Sequence, residues 1–324
     1  MEMTEIIADI ITRKESAGGL KQVYYAACGG SLGAFYPAKC FLEAEAGMLR
    51  TGWYNSNEFV HYPPKLLGRN SLVVVASQKG NTPETVKAAE MARAAGASVI
   101  ALTWETDSPI TKHADYVVKY TYGDGKDIAG EKTIMALLTA VEALAQTEGY
   151  ENYNKFRGGV SKIDGIVKQA AASVAGRAEA FAGEYKDDTV IYTMGSGASW
   201  SSAYMQSICI FMEMQWINSA CIHSGEYFHG PFEITDEKTP FVLQISEGKT
   251  RALDERALKF LRTYGKRFEV LDARELGLGA IDPSVVDYFN HSLFNNVYSV
   301  FNKALAEARN HPLSTRRYMW KVEY

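Results

Sequence analysis

VYYAACGGS at residues 23–31 and VIYTMGSGA at 190–198 each run from a short apolar stretch into a turn of glycine and small residues. The offset from Val23 to Val190 is 167 residues. Working outward, SLVVVASQKGNT at 71–82 answers TPFVLQISEGKT at 239–250, which aligns Ser77 with Ser246 and Thr82 with Thr250. AAGASVIALT at 94–103 answers RTYGKRFEVLD at 262–272. Three matches in one order at one spacing, close to half of the 324 residues, predict two copies of one fold. In the first copy, 22–27, 71–76, 98–103 and 115–120 read as strands, and the first two are apolar runs of the kind buried on both faces. Helical stretches follow at 34–48, 83–95 and 130–147. This alternation predicts an α/β fold, each copy a mostly parallel sheet with helices on both sides. The first domain is expected over 1–150. Linking helices at 151–184 then lead the second, over 151–324.

Composition narrows the class. With 34 basic and 38 acidic side chains the net charge is −4, and 47% of residues are hydrophobic. That balance is globular, and it argues against a nucleic-acid partner, which calls for a basic face. No apolar run approaches the roughly 20 residues that cross a bilayer, so no membrane partner is expected. The start, MEMTEIIADIITRKES, carries Glu2, Glu5 and Asp9 and lacks a basic, apolar leader pattern. Cys28, Cys40, Cys209 and Cys221 form no CxxC pair and read as thiols of a reducing compartment. A cytoplasmic protein is expected.

Two turns in the first copy suit an anion. After the strand at 71–76 come Ser77, Gln78, Lys79, Gly80, Asn81 and Thr82, followed by Pro83. Thr82 before Pro83 marks a helix N-terminus, and Gly80 lets the backbone turn its N–H groups inward. Ser77, Gln78 and Thr82 offer hydroxyl and amide donors with the helix dipole behind them. Ser31, closing Cys28-Gly29-Gly30-Ser31, adds a hydroxyl. The plainer alternative is a capped turn without a ligand. In the second copy the matching turn is Ser246-Glu247-Gly248-Lys249-Thr250, one residue shorter and acidic. A carboxylate there repels phosphate, so one working phosphate site is expected, in the first copy.

The second copy holds the candidates for proton transfer. Glu213 lies in SICIFMEMQWI, with Cys209, Ile210, Trp216 and Ile217 three and four residues away, on its own helix face. A glutamate on an apolar stripe either has a task or is satisfied by an arginine or backbone group. Burial would raise its pKa toward the range useful in acid–base work. Sixteen residues on, His229 stands before Gly230-Pro231, displayed at a loop end. His223, Glu226 and His229 match no metal-ligand spacing.

CGGS and SQKGNTPET at this spacing resemble the SIS (sugar isomerase) family, which binds phosphosugars through such turns. The resemblance implies two tandem SIS domains, each a flavodoxin-like αβα sandwich. It carries Ser31, Ser77, Gln78, Lys79, Gly80 and Thr82 over as the substrate-binding cradle, although Lys79 stands where the family usually has serine. The phrase E-x15-H-G-P resembles the isomerase lobe of glucosamine-6-phosphate synthase and the fructosamine-6-phosphate deglycases. That implies Glu213 as the residue moving protons between C1 and C2, and His229 as the ring-opening or general acid–base residue. Lys321, in the tail TRRYMWKVEY, matches a Schiff-base lysine of the synthase and is expected to bind substrate; a solvated tail lysine is the alternative. Arg316 and Arg317 are further candidates for substrate carboxylates.

The resemblance implies a phosphosugar substrate, no metal or organic cofactor, and a homodimer with active sites near the interface. The chain has no room for the synthase's glutamine-hydrolysing domain, which favours a deglycase. An aldose–ketose or amino-sugar isomerase, or a non-catalytic phosphosugar sensor, are the rival readings. The sensor lacks support because the residues before the first strand are too few for a DNA-binding domain. The aromatic segment 288–302 and the tail read equally as interface or core.

Overall fold

The computed structural model describes residues 1–123 and 125–323. It divides into two compact units, Met1–Ser161 and Lys162–Tyr324. The division falls inside helix α6 (Tyr153–Ser173), preceded in chain order by α1 (Met3–Lys14), α2 (Gly29–Glu45), α3 (Ser56–His61), α4 (Pro83–Ala94) and α5 (Lys132–Thr147).

The first unit holds a parallel sheet in the order β2-β1-β3-β4-β5. Its strands are β1 (Gln22–Ala27), β2 (Arg50–Asn55), β3 (Ser71–Ala76), β4 (Ser98–Thr103) and β5 (Tyr116–Lys119). β1 and β3 are buried along their whole length, as their unbroken apolar runs predict. Alternate residues supply the two faces: Tyr24, Ala26, Val73 and Val75 pack with Phe59 of α3 and Ala88 and Ala92 of α4. Tyr25 points to the other face, where its hydroxyl meets Thr139 of α5 at 3.4 Å. The order reverses between β1 and β3, the switch point beside which open α/β sheets bind ligands.

The second unit repeats the plan. α7 (Ala175–Tyr185) leads to β6 (Tyr192–Gly195), β7 (Cys221–His223), β8 (Phe241–Ile245) and β9 (Phe268–Asp272), parallel in the order β7-β6-β8-β9. This is the first sheet's order without its fifth strand. All three sequence matches fall on corresponding strands: β1 with β6, β3 with β8, β4 with β9. β2 and β7 were not legible, because RTGWYN is half-polar and CIH has only three residues. α8 (Trp200–Met205) packs on one face, where Thr193 Oγ1 donates to the Ala203 carbonyl at 2.9 Å. α9 (Arg251–Tyr264) covers the opposite face with Met194, Ile222 and Leu243. The segment 288–302 is largely core: Leu293, Phe294, Val297, Tyr298 and Phe301 of α10 (Asn290–Ala308) are buried. The tail is different, with Tyr318, Trp320 and Val322 exposed. No helix among the described residues is long and apolar enough to cross a membrane.

Candidate active site

At the carboxyl edge of the first sheet, Ala27 pairs with Ala76, so the turns after β1 and β3 lie side by side. The helix expected from residue 34 starts at Gly29, with Cys28 extended as its N-cap. Gly29, Gly30 and Ser31 are therefore its first turn; Ser31 N–H bonds the Cys28 carbonyl at 3.1 Å, while Gly29 and Gly30 N–H lack helical acceptors. Ser77 is 3% exposed, and its hydroxyl meets that of Thr82 at 2.9 Å. Thr82 occupies the N-cap position of α4 as predicted, but its side chain makes no capping bond and turns to Ser77 instead. The N–H groups of Gln78, Lys79 and Asn81 donate to no partner among the described residues. Gly80 (φ +63°) closes the loop, its N–H bonded to the Ser77 carbonyl. Lys79 is exposed. Hydroxyls, unengaged amides and two helix N-termini together form a cradle whose chemistry suits an anion.

Lys132, at the start of α5, is the cradle residue that sequence reasoning missed. Its ammonium donates to Ser31 Oγ at 2.8 Å and lies 5.2 Å from the Tyr120 ring centroid. A cation beside Ser31 adds positive charge at this turn of a net-acidic protein. The 101 residues separating the pair hid it from motif spacing.

The matching turn of the second unit is already filled by its own chain. Glu247 N–H donates to Asn290 Oδ1 at 2.8 Å, Lys249 N–H to Asp287 Oδ1 at 2.9 Å, and Ser246 N–H to Asp254 Oδ2 at 3.0 Å. A Cβ on Gly248 would come within 2.3 Å of Asp287 Oδ1. Burial raises the pKa of Asp254 and Asp287, against the hydrogen bonds that favour their charged forms. Carboxylates of the chain itself thus accept from this turn's N–H groups.

Glu213 lies in the second unit, in a π-helical continuation of α8 over Gln206–Met214. Gln215 N–H donates to the Ile210 carbonyl, five residues back. The wider turn breaks the predicted α-helical face. Trp216 leaves the helix with φ +56° and is exposed, whereas Ile217 is buried. Such π segments recur at functional sites because they re-aim a side chain. The Glu213 side chain is 22% exposed and pairs at 2.8 Å with Arg316, whose own side chain is 10% exposed. Burial raises the Glu213 pKa, and the guanidinium partly opposes that shift.

The tail converges on the same place. Arg317 lies 4.2 Å from the Trp216 ring centroid, and Lys321 Nζ donates to the Arg316 carbonyl at 2.5 Å. Glu213 and Lys321 are thus gathered around Arg316. His229 makes no hydrogen bond or ion pair with them among the described residues. It is exposed in the turn after β7, and that segment packs on the α9 face: Phe228 and Phe232 lie against Phe260. The α8 layer that carries Glu213 covers the opposite face of the sheet.

A family model described as the SIS domain matches residues 21–147. The fructosamine deglycase FrlB of Bacillus subtilis (strain 168) is 44% identical over 94% of this chain and 93% of its own length. The fructoselysine 6-phosphate deglycase of Escherichia coli (strain K12) is 26% identical over 80% of this chain and 75% of its own. A crystal structure of a Salmonella typhimurium LT2 protein, 48% identical, superposes with a TM-score of 0.96 and covers 99% of this chain and 96% of that one. The C-terminal domain of the Francisella tularensis glucosamine-fructose-6-phosphate aminotransferase shares the fold at 16% identity, with a TM-score of 0.77 and coverage of 96% and 95%. The chain belongs to the SIS-domain family and, within it, to the fructosamine deglycases.

Proposed function

We propose that this protein is an enzyme that converts a fructosamine 6-phosphate and water to glucose 6-phosphate and a free amino acid, with 6-phosphofructose-aspartate as substrate. The observation that carries the reading is Glu213, a half-buried carboxylate on a π-helical turn, in a chain whose first unit brings hydroxyls and unengaged amides together after β1 and β3. The cradle, with Ser31, Ser77, Gln78, Gly80, Thr82 and Lys132, takes the 6-phosphate.

The substrate carries its amine on C1 beside the C2 ketone. The Glu213 carboxylate removes a C1 proton while an acid protonates the C2 oxygen, which gives an enaminol. Glu213 then returns the proton to C2, and the nitrogen lone pair forms the C1 iminium. Water adds at C1, and the C–N bond breaks to release the aldehyde and the ammonium form of the amino acid. His229 opens the sugar ring or moves protons on oxygen. Lys321 binds substrate beside Glu213. Arg316 is engaged with Glu213, Arg317 lies against Trp216, and Lys321 bonds the Arg316 carbonyl; of the three, Lys321 and Arg317 are the candidates for a substrate carboxylate. The protein acts as a homodimer in the cytoplasm.

The test is to incubate the purified protein with 6-phosphofructose-aspartate and follow glucose 6-phosphate. Glu213→Gln and His229→Ala should each lower kcat by about 10²–10⁴-fold with an unchanged far-UV spectrum. Phosphosugar binding without product would remove the deglycase reading, and interconversion of aldose and ketose phosphates would favour an isomerase.

A further inference from the structure

The Arg316 side chain is 10% exposed, and its contacts divide into two sets. One nitrogen meets Glu213 Oε1 at 2.8 Å. Another donates to the carbonyls of Leu313 and Thr315, both at 2.8 Å, so the guanidinium is fixed by its own local backbone. The tail around it is tied in turn: Lys321 Nζ bonds the Arg316 carbonyl, and the guanidinium lies 5.6 Å from the Trp320 ring centroid. The segments around Glu213 are anchored too. Gln215 Nε2 donates to the His311 carbonyl at 2.8 Å, and Arg309 donates to the Gln215 carbonyl at 3.3 Å.

We propose that Arg316 is the positioning residue for the base: it holds the Glu213 carboxylate in its charged form and in place, and so makes proton transfer depend on an ordered C-terminal tail. The inference rests on the assignment of Glu213 as the base. A carboxylate that is to accept a C1 proton must be ionised beforehand, and partial burial works against that. The cations near Glu213 are Arg316 in direct contact, with Arg309, Arg317 and Lys321 held around it by other partners. His311 faces Trp216, with ring centroids 4.6 Å apart. Arg316 alone among these meets the carboxylate within the described residues. Its Nε is buried and has no acceptor among the described residues, so one nitrogen meets the carboxylate while another is tied to the Leu313 and Thr315 carbonyls. Lysine, a point charge, restores the field but not that planar set of donors.

Kinetics of Arg316→Gln and Arg316→Lys across pH, on a fructosamine 6-phosphate, test the proposal. Loss of the guanidinium removes the influence that favours ionised Glu213. In Arg316→Gln the acid limb of kcat/KM should therefore move to higher pH. In the same variant kcat should fall on the order of a hundredfold, with KM changed far less. Arg316→Lys should recover part of kcat and return the limb toward its original position. A ¹³C titration of the Glu213 carboxyl in wild type and Arg316→Met reads the same effect without turnover, and serves if Arg316→Gln fails to fold. An unmoved acid limb in folded Arg316→Gln, or identical titrations of wild type and Arg316→Met, would overturn the inference. Glu213→Gln separates the two readings. If it is inactive while Arg316→Gln is normal, only the role of Arg316 falls; if it is active, the base assignment falls and takes this inference with it.

Discussion

Gly80 has φ +63°, and a Cβ there would sit 1.9 Å from Ser108 Oγ. Backbone preference and space both exclude a side chain at the point where the cradle turns. Gly80→Ala should destabilise the first unit by about 1–3 kcal/mol and raise KM for the phosphosugar more than it lowers kcat. A thermal melt alongside steady-state kinetics checks both; an unchanged melting temperature with normal KM would mean that the loop relaxes freely. At this scale the sequence was informative where chemistry is local. Ser77, Gly80 and Thr82 announced a turn because neighbours in sequence are neighbours in space. Arg316 and Lys132 did not, because each meets its partner across about a hundred residues. The apolar stripe that singled out Glu213 assumed α-helical spacing, which the π segment does not keep.

At the scale of elements, the two copies diverge in how they satisfy one turn. In the first, three N–H groups have no acceptor among the described residues; in the second, Asp254, Asp287 and Asn290 supply the oxygens. The acidic, shortened SEGKT signalled that the second turn had changed, but not that Asp287, 38 residues from Lys249, had replaced the anion. Asp287→Ala withdraws the acceptor from Lys249 N–H and empties the space against Gly248. The expected loss is about 1–3 kcal/mol of stability with phosphosugar KM unchanged, since the second turn holds an internal carboxylate and not substrate. Chemical denaturation and KM measured on one preparation check this. A large rise in KM would mean that the second turn also binds the substrate.

For the whole molecule, the positions of Glu213 and His229 bear on how many chains make one active site. Both belong to the second unit, yet one is carried by the α8 face of the sheet and the other by the α9 face. Short apolar strands made the sheets legible, but which face a loop packs on depends on aromatic contacts such as Phe228 with Phe260, and spacing does not encode them. If one reaction needs both residues and one chain holds them on opposite faces, a site must take Glu213 from one copy and His229 from another, as a two-fold dimer permits. Mixed dimers of Glu213→Gln and His229→Ala test this. Under sharing between copies, each mixed dimer has one site with both residues intact and one with neither. Random mixing of equal amounts should therefore restore about a quarter of wild-type activity from two inactive parents. If each site draws both residues from one chain, every site in the mixture carries a lesion and activity stays at the parental level. Subunit exchange, followed by size-exclusion chromatography with one parent tagged, shows that mixed dimers formed, so a flat result would count against sharing.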